Sequence, residues 1–182
     1  NELLESANFE LKELSARDEL TNLYNLAYFN KNLESELTRS RRYDHSCAIL
    51  LLDIDYFKQY NDTHGLPEGD NILRFMAELL DSSSRSTDTV CRYGSEEFAL
   101  ILPETTIKGA KKTAENIRNM IEDYPFEGQD SQPGGAVTVS IGVASFPDDG
   151  LECAILIENA EKALQEAKRN GCNRAIMASD DK

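Results

Sequence analysis

The segment that most constrains the fold is Ser46–Ile54, a stretch of strand length in which Cys47–Leu52 is an uninterrupted apolar run. Because it offers apolar side chains to both faces, it predicts a central strand covered on both sides by other layers. The run leads into Asp53-Ile-Asp55, so two carboxylates are expected at the carboxyl end of a buried strand. No uncharged apolar run approaches the roughly 18 residues of a membrane-spanning helix, and the sequence predicts no membrane contact for this segment of chain.

The rest of the chain alternates between helical and strand-like patterns, with one hairpin among them. The pattern predicts an α/β fold, more narrowly an α+β sandwich, with a central, mostly antiparallel five-stranded sheet flanked by helices. Predicted helices cover about 25–42, 70–80, 107–124 and 151–169. Predicted strands cover 46–54, 89–93, 98–102, 136–146 and 173–177. Residues 61–69 are rich in turn formers, and 127–135 predict an exposed, mobile loop.

The first residues predict a helical extension before the domain. Leu4, Ala7, Leu11 and Leu14 have a/d spacing over two heptads, which is too short to establish a coiled coil. Such a helix is marginal alone in water, so it is expected to pack against a partner or to continue upstream. The predicted division is a helix over 1–17, a domain over 18–178 and a tail over 179–182.

Cysteine usage and the first residue bear on the source of the chain. The four cysteines form no CxxC pair, which indicates reduced thiols and a cytoplasmic protein, or the cytoplasmic part of a membrane-anchored receptor. The chain begins with Asn rather than Met, so we expect a fragment of a longer protein.

The charge balance narrows the choice of partners. With 19 basic and 33 acidic residues the formal net charge is −14, which disfavours a broad nucleic-acid footprint. Phosphates would therefore have to bind at one local site, with help from a metal.

Two acidic features are candidates for such a site. Asp53-Ile-Asp55 ends the central strand, and Glu96-Glu97 lies at the hairpin tip after Gly94. Carboxylates brought together this way suit Mg²⁺, which takes one or two of them and completes its shell with phosphate and water. A glycine at the tip lets backbone amides approach phosphate oxygens. Either feature alone is equally typical of solvated acids at strand ends and turns.

The hairpin sequence Arg92-Tyr-Gly-Ser-Glu-Glu-Phe98 resembles the signature of the GGDEF family, the diguanylate cyclases. Further blocks agree in order, and the resemblance covers about 18–177. These blocks are Asp18-Glu-Leu-Thr-Asn-Leu-Tyr-Asn25, Asp53-Ile-Asp-Tyr-Phe-Lys58, Asn61-Asp62, Gly65, Gly69-Asp70, the TVSIG of 138–142 and Ala167-Lys168.

The resemblance implies a metal site and a catalytic apparatus on a nucleotidyl-cyclase or palm-like sheet. Asp53 and Glu96 match the metal carboxylates, with the carbonyl of Ile54 and with Glu97 completing the set for Mg²⁺ or Mn²⁺. Glu96 also matches the base for the attacking hydroxyl, and Lys58 the residue that stabilises the transition state. A solvated lysine on a helix is the plain structural alternative for Lys58.

The resemblance also implies how GTP would bind. Asn61 and Asp70 match the pair that reads guanine, whose edge a carboxylate and an amide can satisfy. The structural alternative for Asn61-Asp62 is a helix-ending turn. The other implied substrate contacts are Phe57, Gly94, Ser95 and, for the terminal phosphates, Lys168.

The implied reaction joins two GTP into cyclic di-GMP and releases two pyrophosphates. Each domain holds one GTP, so two domains must face each other as a homodimer, which the N-terminal helix would organise below an upstream sensory domain. Arg85 and Asp88 match an RxxD site where cyclic di-GMP inhibits many family members.

Four positions depart from the family pattern: Leu26, Leu66, Ser95 and Cys172. Ser95 replaces the second motif glycine, and Cys172 replaces an arginine that grips phosphate, for which Arg169 or Arg174 would have to compensate. The alternative to a cyclase is therefore a catalytically impaired domain that senses cyclic di-GMP or GTP. A third reading, free of the resemblance, is a generic Mg²⁺-nucleotide domain.

Overall fold

The computed structural model describes residues 16–181, which form five helices and five strands. The helices are α1 (Leu26–Tyr43), α2 (Phe57–His64), α3 (Leu66–Ser83), α4 (Ile107–Asp123) and α5 (Cys153–Arg169). The strands are β1 (Cys47–Ile54), β2 (Thr89–Arg92), β3 (Glu97–Pro103), β4 (Val139–Phe146) and β5 (Ala175–Met177). Short 3₁₀ turns cover Gln129–Ser131, Pro133–Gly135 and Ala178–Asp181.

The five strands form one sheet in the order β2-β3-β1-β4-β5, with β1 in the middle. All eight residues of β1 are buried, as its apolar sequence predicted. Only the β4–β5 pair is parallel, and β1 pairs antiparallel with β3 and β4. The predicted α+β fold with a mostly antiparallel sheet is confirmed.

Alternate side chains of β1 enter two separate cores, one on each face of the sheet. Leu50 and Leu52 pack with residues of α2, α3 and α4, such as Tyr60, Met76 and Ile117. Cys47, Ile49 and Leu51 pack on the other face with α1 and α5, through Phe29, Leu33, Leu156 and Leu164. Because Asp53 continues the odd-numbered series, its side chain belongs to the face that α5 covers.

The structure corrects the turn-rich interpretation of residues 61–69. α2 runs to His64 and α3 begins at Leu66, so one residue separates two helices. Gly65 makes the break with a φ of 91°, a conformation that glycine adopts without a Cβ clash. Pro67 sits in the first turn of α3, where its missing N–H costs no hydrogen bond.

The segment before β4 is anchored to α2, contrary to the prediction of a wholly exposed loop. The Tyr60 hydroxyl donates to the Glu127 carbonyl at 2.7 Å, and His64 Nε2 lies 2.8 Å from Ser131 Oγ. Gln132 is 5% exposed. These contacts tie α2 to the segment that leads into β4.

The predicted N-terminal helix over 1–17 falls almost wholly outside the described residues, including Leu4, Ala7, Leu11 and Leu14. Within residues 16–181, no helix combines the length and apolar character needed to cross a membrane.

Candidate functional site

The carboxyl end of β1 and the start of β3 bring the predicted acidic residues together. Asp53 lies opposite Glu97 in the antiparallel register. The Ile54 N–H donates to the Glu96 carbonyl at 3.2 Å, which ties the hairpin tip to the end of the central strand. The two acidic features of the sequence therefore meet at one end of the sheet.

Asp53 is a buried carboxylate with one engaged oxygen and one orphaned oxygen. The residue is 5% exposed, and its Oδ2 lies 2.7 Å from Lys168 Nζ on α5. Its Oδ1 is buried without a hydrogen-bond partner among the described residues. Burial raises the pKa of Asp53, the Lys168 ammonium opposes that rise, and the nearby Asp55 adds to it. Such an oxygen is costly to leave unpaired and suits a cation.

Glu96 and Glu97 share this environment. Burial raises the pKa of each, the Asp53 carboxylate raises both further, and Lys168 opposes the rise. Within residues 16–181, no three acidic, His or Cys side chains are grouped as a self-sufficient metal site. Two carboxylates with a backbone carbonyl fit Mg²⁺, because that ion leaves several positions to phosphate and water.

The two central positions of the hairpin tip, Gly94 and Ser95, differ in whether they can accommodate a side chain. A Cβ at Gly94 would overlap Glu97 Oε2, so a side chain at Gly94 would displace that carboxylate. Ser95 is exposed, and neither residue has a positive φ. The departure at Ser95 therefore introduces no backbone strain.

Arg92 holds the tip from inside, a role that the sequence did not reveal. Its guanidinium donates to the carbonyls of Gly94 (3.2 Å) and Ser95 (2.8 Å). It also pairs with Asp18 at 3.1 Å, and both side chains are largely buried. Bonds to Arg92 and Thr21 lower the pKa of Asp18 against an opposing effect of burial. The segment entering the domain is thereby joined to the tip.

α2 begins at Phe57, two residues after Asp55. Among residues 16–181 no side chain caps its first turn, so the N–H groups there can bind an anion. Lys58 is exposed on this turn, whereas the Phe57 side chain is 6% exposed and packs in the core. Any substrate contact by Phe57 is therefore restricted to its backbone.

Asn61 and Asp70 lie on consecutive helices beside the one-residue break. A Cβ at Gly69 would overlap Asn61 Oδ1, so the absence of a side chain at Gly69 leaves the space that the Asn61 amide occupies. Asn61 Oδ1 is buried and has no hydrogen-bond partner among the residues described. Asp70 is half-buried. An amide and a carboxylate held on adjacent helices can bind the edge of a base.

The loop after α5 is held by the second acid of the β1 motif. Asp55 is 2% exposed and accepts from the Thr138 and Ser140 hydroxyls, each at 2.7 Å, and from the Asn173 N–H at 2.9 Å. Asp55 is therefore a structural anchor for this loop.

Cys172 occupies the position where the family pattern has an arginine. It has a φ of 63°, and burial raises the pKa of its thiol. The Arg174 side chain folds back on this turn, where Nε donates to the Cys172 carbonyl at 3.0 Å. Arg174, one of the two arginines that would have to compensate, therefore lies at the same turn as Cys172.

Arg85 and Asp88 lie in the turn that joins α3 to β2. Asp88 accepts from the Arg85 N–H at 2.9 Å, which closes a tight turn. Both residues line a cavity of about 610 Å³ together with Arg17, Tyr24 and Glu78. The guanidinium of Arg17 stacks 3.8 Å above the Tyr24 ring. The Tyr28 ring stacks on the other face of Tyr24 at 3.9 Å, so the cavity offers cationic groups and acceptors, which suit an anionic nucleotide, but no open aromatic face among its described residues.

The sequence matches the family model described as "Diguanylate cyclase, GGDEF domain" over residues 15–174. Response regulator PleD of Caulobacter vibrioides is 37% identical over 164 residues, covering 90% of this chain and 36% of PleD. Diguanylate cyclase A of Treponema denticola is 36% identical over 179 residues, covering 96% of this chain and 47% of the relative. The chain therefore spans between about a third and a half of these curated relatives.

Solved structures share the fold at similar identity. The GGDEF domain of DgcB from Caulobacter crescentus, in complex with c-di-GMP, has a TM-score of 0.82 and 32% identity, covering 91% of this chain and 96% of that one. Diguanylate cyclase SiaD of Pseudomonas aeruginosa, in complex with its activator SiaC, has a TM-score of 0.80 and 33% identity, covering 97% and 66%.

Proposed function

The chain belongs to the GGDEF family of diguanylate cyclase domains, and we propose that it condenses two GTP into cyclic di-GMP with release of two pyrophosphates. The observation that carries the proposal is the buried end of β1, where one oxygen of Asp53 has no partner among residues 16–181 and lies near Glu96 and Glu97. A site that keeps charged groups buried, despite the free energy this costs, is typical of function rather than of stability.

Each part of the site has a proposed task. Asp53, Glu96 and the Ile54 carbonyl hold Mg²⁺ or Mn²⁺, which when bound neutralises charge on the phosphates. The α2 N-terminus and the tip at Ser95 receive the triphosphate through N–H groups, whereas the Gly94 N–H already donates to the Glu97 carbonyl at 3.1 Å. Lys58 lies exposed beside them to stabilise developing charge.

The remaining residues orient the two reactants. Asn61 and Asp70 hold guanine, and Glu96 accepts the proton of the attacking hydroxyl. One domain binds one GTP, so two domains must come face to face before the hydroxyl of each nucleotide reaches the phosphate of the other. Residues 1–17 are proposed to bring the pair together by raising the effective concentration of the partner site.

The two-domain requirement gives a direct test of the proposal. Pyrophosphate release per domain is expected to rise with protein concentration and then to level off once the domains are paired. A rate per domain that stays constant down to high dilution, in a protein shown to be monomeric there, would contradict pairing as a condition for turnover.

Gly69→Ala is expected to lower GTP affinity by more than tenfold without unfolding the domain. The new Cβ overlaps Asn61 Oδ1, and the flexible amide must rotate away from its position. Alanine favours a helix interior over glycine by about 1 kcal/mol, which offsets part of the repacking cost. Calorimetric titration with a non-hydrolysable GTP analogue and thermal unfolding separate the two effects. Equal affinities for both proteins would show that Asn61 does not contact the base.

Metal affinity is expected to fall with decreasing pH earlier than at an ordinary carboxylate site. The ordinary pKa values of Asp53 and Glu96 are 3.8 and 4.5, and both are raised in the fold. Because a protonated carboxyl group does not bind a divalent ion, protons compete at a pH above those values. Mn²⁺ titrations at stepwise lower pH test the shift. An affinity that stays constant until the ordinary carboxyl range contradicts it.

Arg85→Ala is expected to weaken cyclic di-GMP binding by more than tenfold and to raise steady-state turnover. A lost charge-assisted hydrogen bond costs about 1.5–3 kcal/mol, which is roughly ten- to hundredfold in affinity. Arg74→Ala is the matched control, since Arg74 is an exposed arginine of α3 outside the 610 Å³ cavity. Calorimetric titration with cyclic di-GMP measures the binding.

The same experiment separates a cyclase from a sensor. A sensor would lose binding on Arg85→Ala and would have no turnover to raise. If the wild-type domain binds no cyclic di-GMP at micromolar concentrations, Arg85 and Asp88 are surface charges, and the sensor alternative rests on the GTP pocket alone.

A further inference from the structure

Lys168 forms an ion pair with the carboxylate that the proposed function assigns to the metal. Its Nζ lies 2.7 Å from Asp53 Oδ2, in a contact where the lysine side chain is 31% exposed and the aspartate side chain 7%. The other oxygen of Asp53 has no partner within the described part of the chain. The ammonium therefore pairs with one oxygen of the carboxylate and leaves the other oxygen without a hydrogen bond from the described residues.

The charge of Lys168 also acts on the rest of the site. It interacts electrostatically with Asp53, Glu96 and Glu97, which are crowded together at the end of the sheet. A lysine ammonium is thus the counter-ion of the site in the nucleotide-free domain. A divalent ion on Asp53 would lie close to this ammonium, and like charges at such a distance in a partly buried site repel strongly.

We propose that Lys168 neutralises the metal carboxylates in the nucleotide-free domain and moves to the terminal phosphates of GTP when the metal binds, so that metal and nucleotide bind with positive coupling. The inference rests on the proposed function, and it adds how metal binding and nucleotide binding depend on each other. The metal alone binds weakly because it must displace Lys168, whereas a nucleotide gives the displaced ammonium a new anionic partner. By linkage, each ligand then raises the affinity for the other by the same factor.

The geometry of α5 makes this movement local. Lys168 lies in the last turn of the helix, and its flexible side chain presents a point charge that can change partner without a backbone change. The helix itself is fixed by buried Leu164 and Ala167. The ammonium can therefore move between Asp53 and the terminal phosphates by rotation of the Lys168 side chain alone.

Lys168→Met tests the inference because two affinities should change in opposite directions. Affinity for Mn²⁺ alone, measured by electron paramagnetic resonance, is expected to rise by at least about fivefold, the upper end for exposed charge pairs. Affinity for a non-hydrolysable GTP analogue is expected to fall. Lys168→Arg, which keeps the charge, should leave Mn²⁺ alone weakly bound, and Lys168→Ala should behave like Lys168→Met.

Lys162→Met is the matched control on the same helix. Lys162 pairs with Glu158 at 2.6 Å and its side chain is 67% exposed, so its removal should change neither affinity. Thermal unfolding verifies that each variant is folded, and damage to the fold would lower both affinities together.

The measurements distinguish failure of the Lys168 inference from failure of the proposed function. If wild-type protein binds Mn²⁺ more tightly with the GTP analogue but Lys168→Met does not gain affinity for Mn²⁺ alone, the role of Lys168 is wrong and the proposed function stands. If wild-type protein binds no Mn²⁺ with the analogue present, both proposals fail.

Discussion

Glu96→Gln is expected to reduce turnover by roughly 10²- to 10⁴-fold, the range that a general base contributes. Glutamine has the size of glutamate but cannot accept the proton of the attacking hydroxyl and is a weaker metal ligand. Binding of cyclic di-GMP at the Arg85 cavity should be unchanged, because Glu96 does not line that cavity.

Glu161→Gln is the control for this prediction. Glu161 is an exposed glutamate of α5 whose carboxylate lies 3.4 Å from the Tyr93 hydroxyl, beside the hairpin but outside the proposed machinery. Its replacement should leave the rate within about twofold, as for most surface substitutions. If Glu96→Gln retained a rate close to that of Glu161→Gln, Glu96 would be neither base nor metal ligand.

GTP is expected to bind at least about a hundredfold more tightly than ATP. Guanine presents N1–H and an exocyclic amine as two donors, and the Asp70 carboxylate can accept from both. Adenine has an acceptor at N1, so both bonds are lost. A hydrogen bond to a charged group contributes about 1.5–3 kcal/mol, and two such losses correspond to roughly 10²- to 10⁴-fold in affinity.

Two comparisons locate the source of the selectivity. Inosine triphosphate lacks the exocyclic amine and keeps N1–H, so its affinity should fall between those of GTP and ATP. Asp70→Asn should reduce the ratio of GTP to ATP affinity. Asp62 is an exposed acid of α2, and the control substitution Asp62→Asn should leave the ratio unchanged. Calorimetric titration of the three nucleotides provides the values, and equal affinity for GTP and ATP would refute the assignment of Asp70.

The sheet could be predicted from sequence because its strands carry their own signal. β1 is apolar at every position before Asp53, and a strand of that kind is stable only when covered on both faces. The hairpin was visible from two apolar runs around a short acidic tip. These patterns are local, and no distant contact is needed to interpret them.

The helices around Gly65 were misinterpreted for an equally physical reason. Asn61, Gly65, Pro67 and Gly69 within nine residues indicate turns when each is considered alone. The structure uses Gly65 for a one-residue break and Gly69 for close contact with Asn61. Tertiary packing, which composition does not encode, decides in favour of two helices.

The contacts that organise the site join residues far apart in the chain. Arg92 holds the tip and reaches Asp18, and Lys168 reaches Asp53 from another helix. Neither pairing has a local pattern, so the sequence could indicate the residues of the site but not these partners. The effect of Ser95 was also not predictable, because its cost depends on a backbone conformation that only the structure shows.

The most direct test of the central claim is the identity of the product. Purified protein is incubated with GTP and Mg²⁺, and the nucleotides are separated and identified by mass, with Glu96→Gln as the control. We predict cyclic di-GMP and pyrophosphate from the wild-type protein, formed in a ratio of one to two, and essentially none from Glu96→Gln. Wild-type protein that binds GTP and is paired in solution, yet forms no cyclic di-GMP, would contradict the account and identify the domain as a sensor.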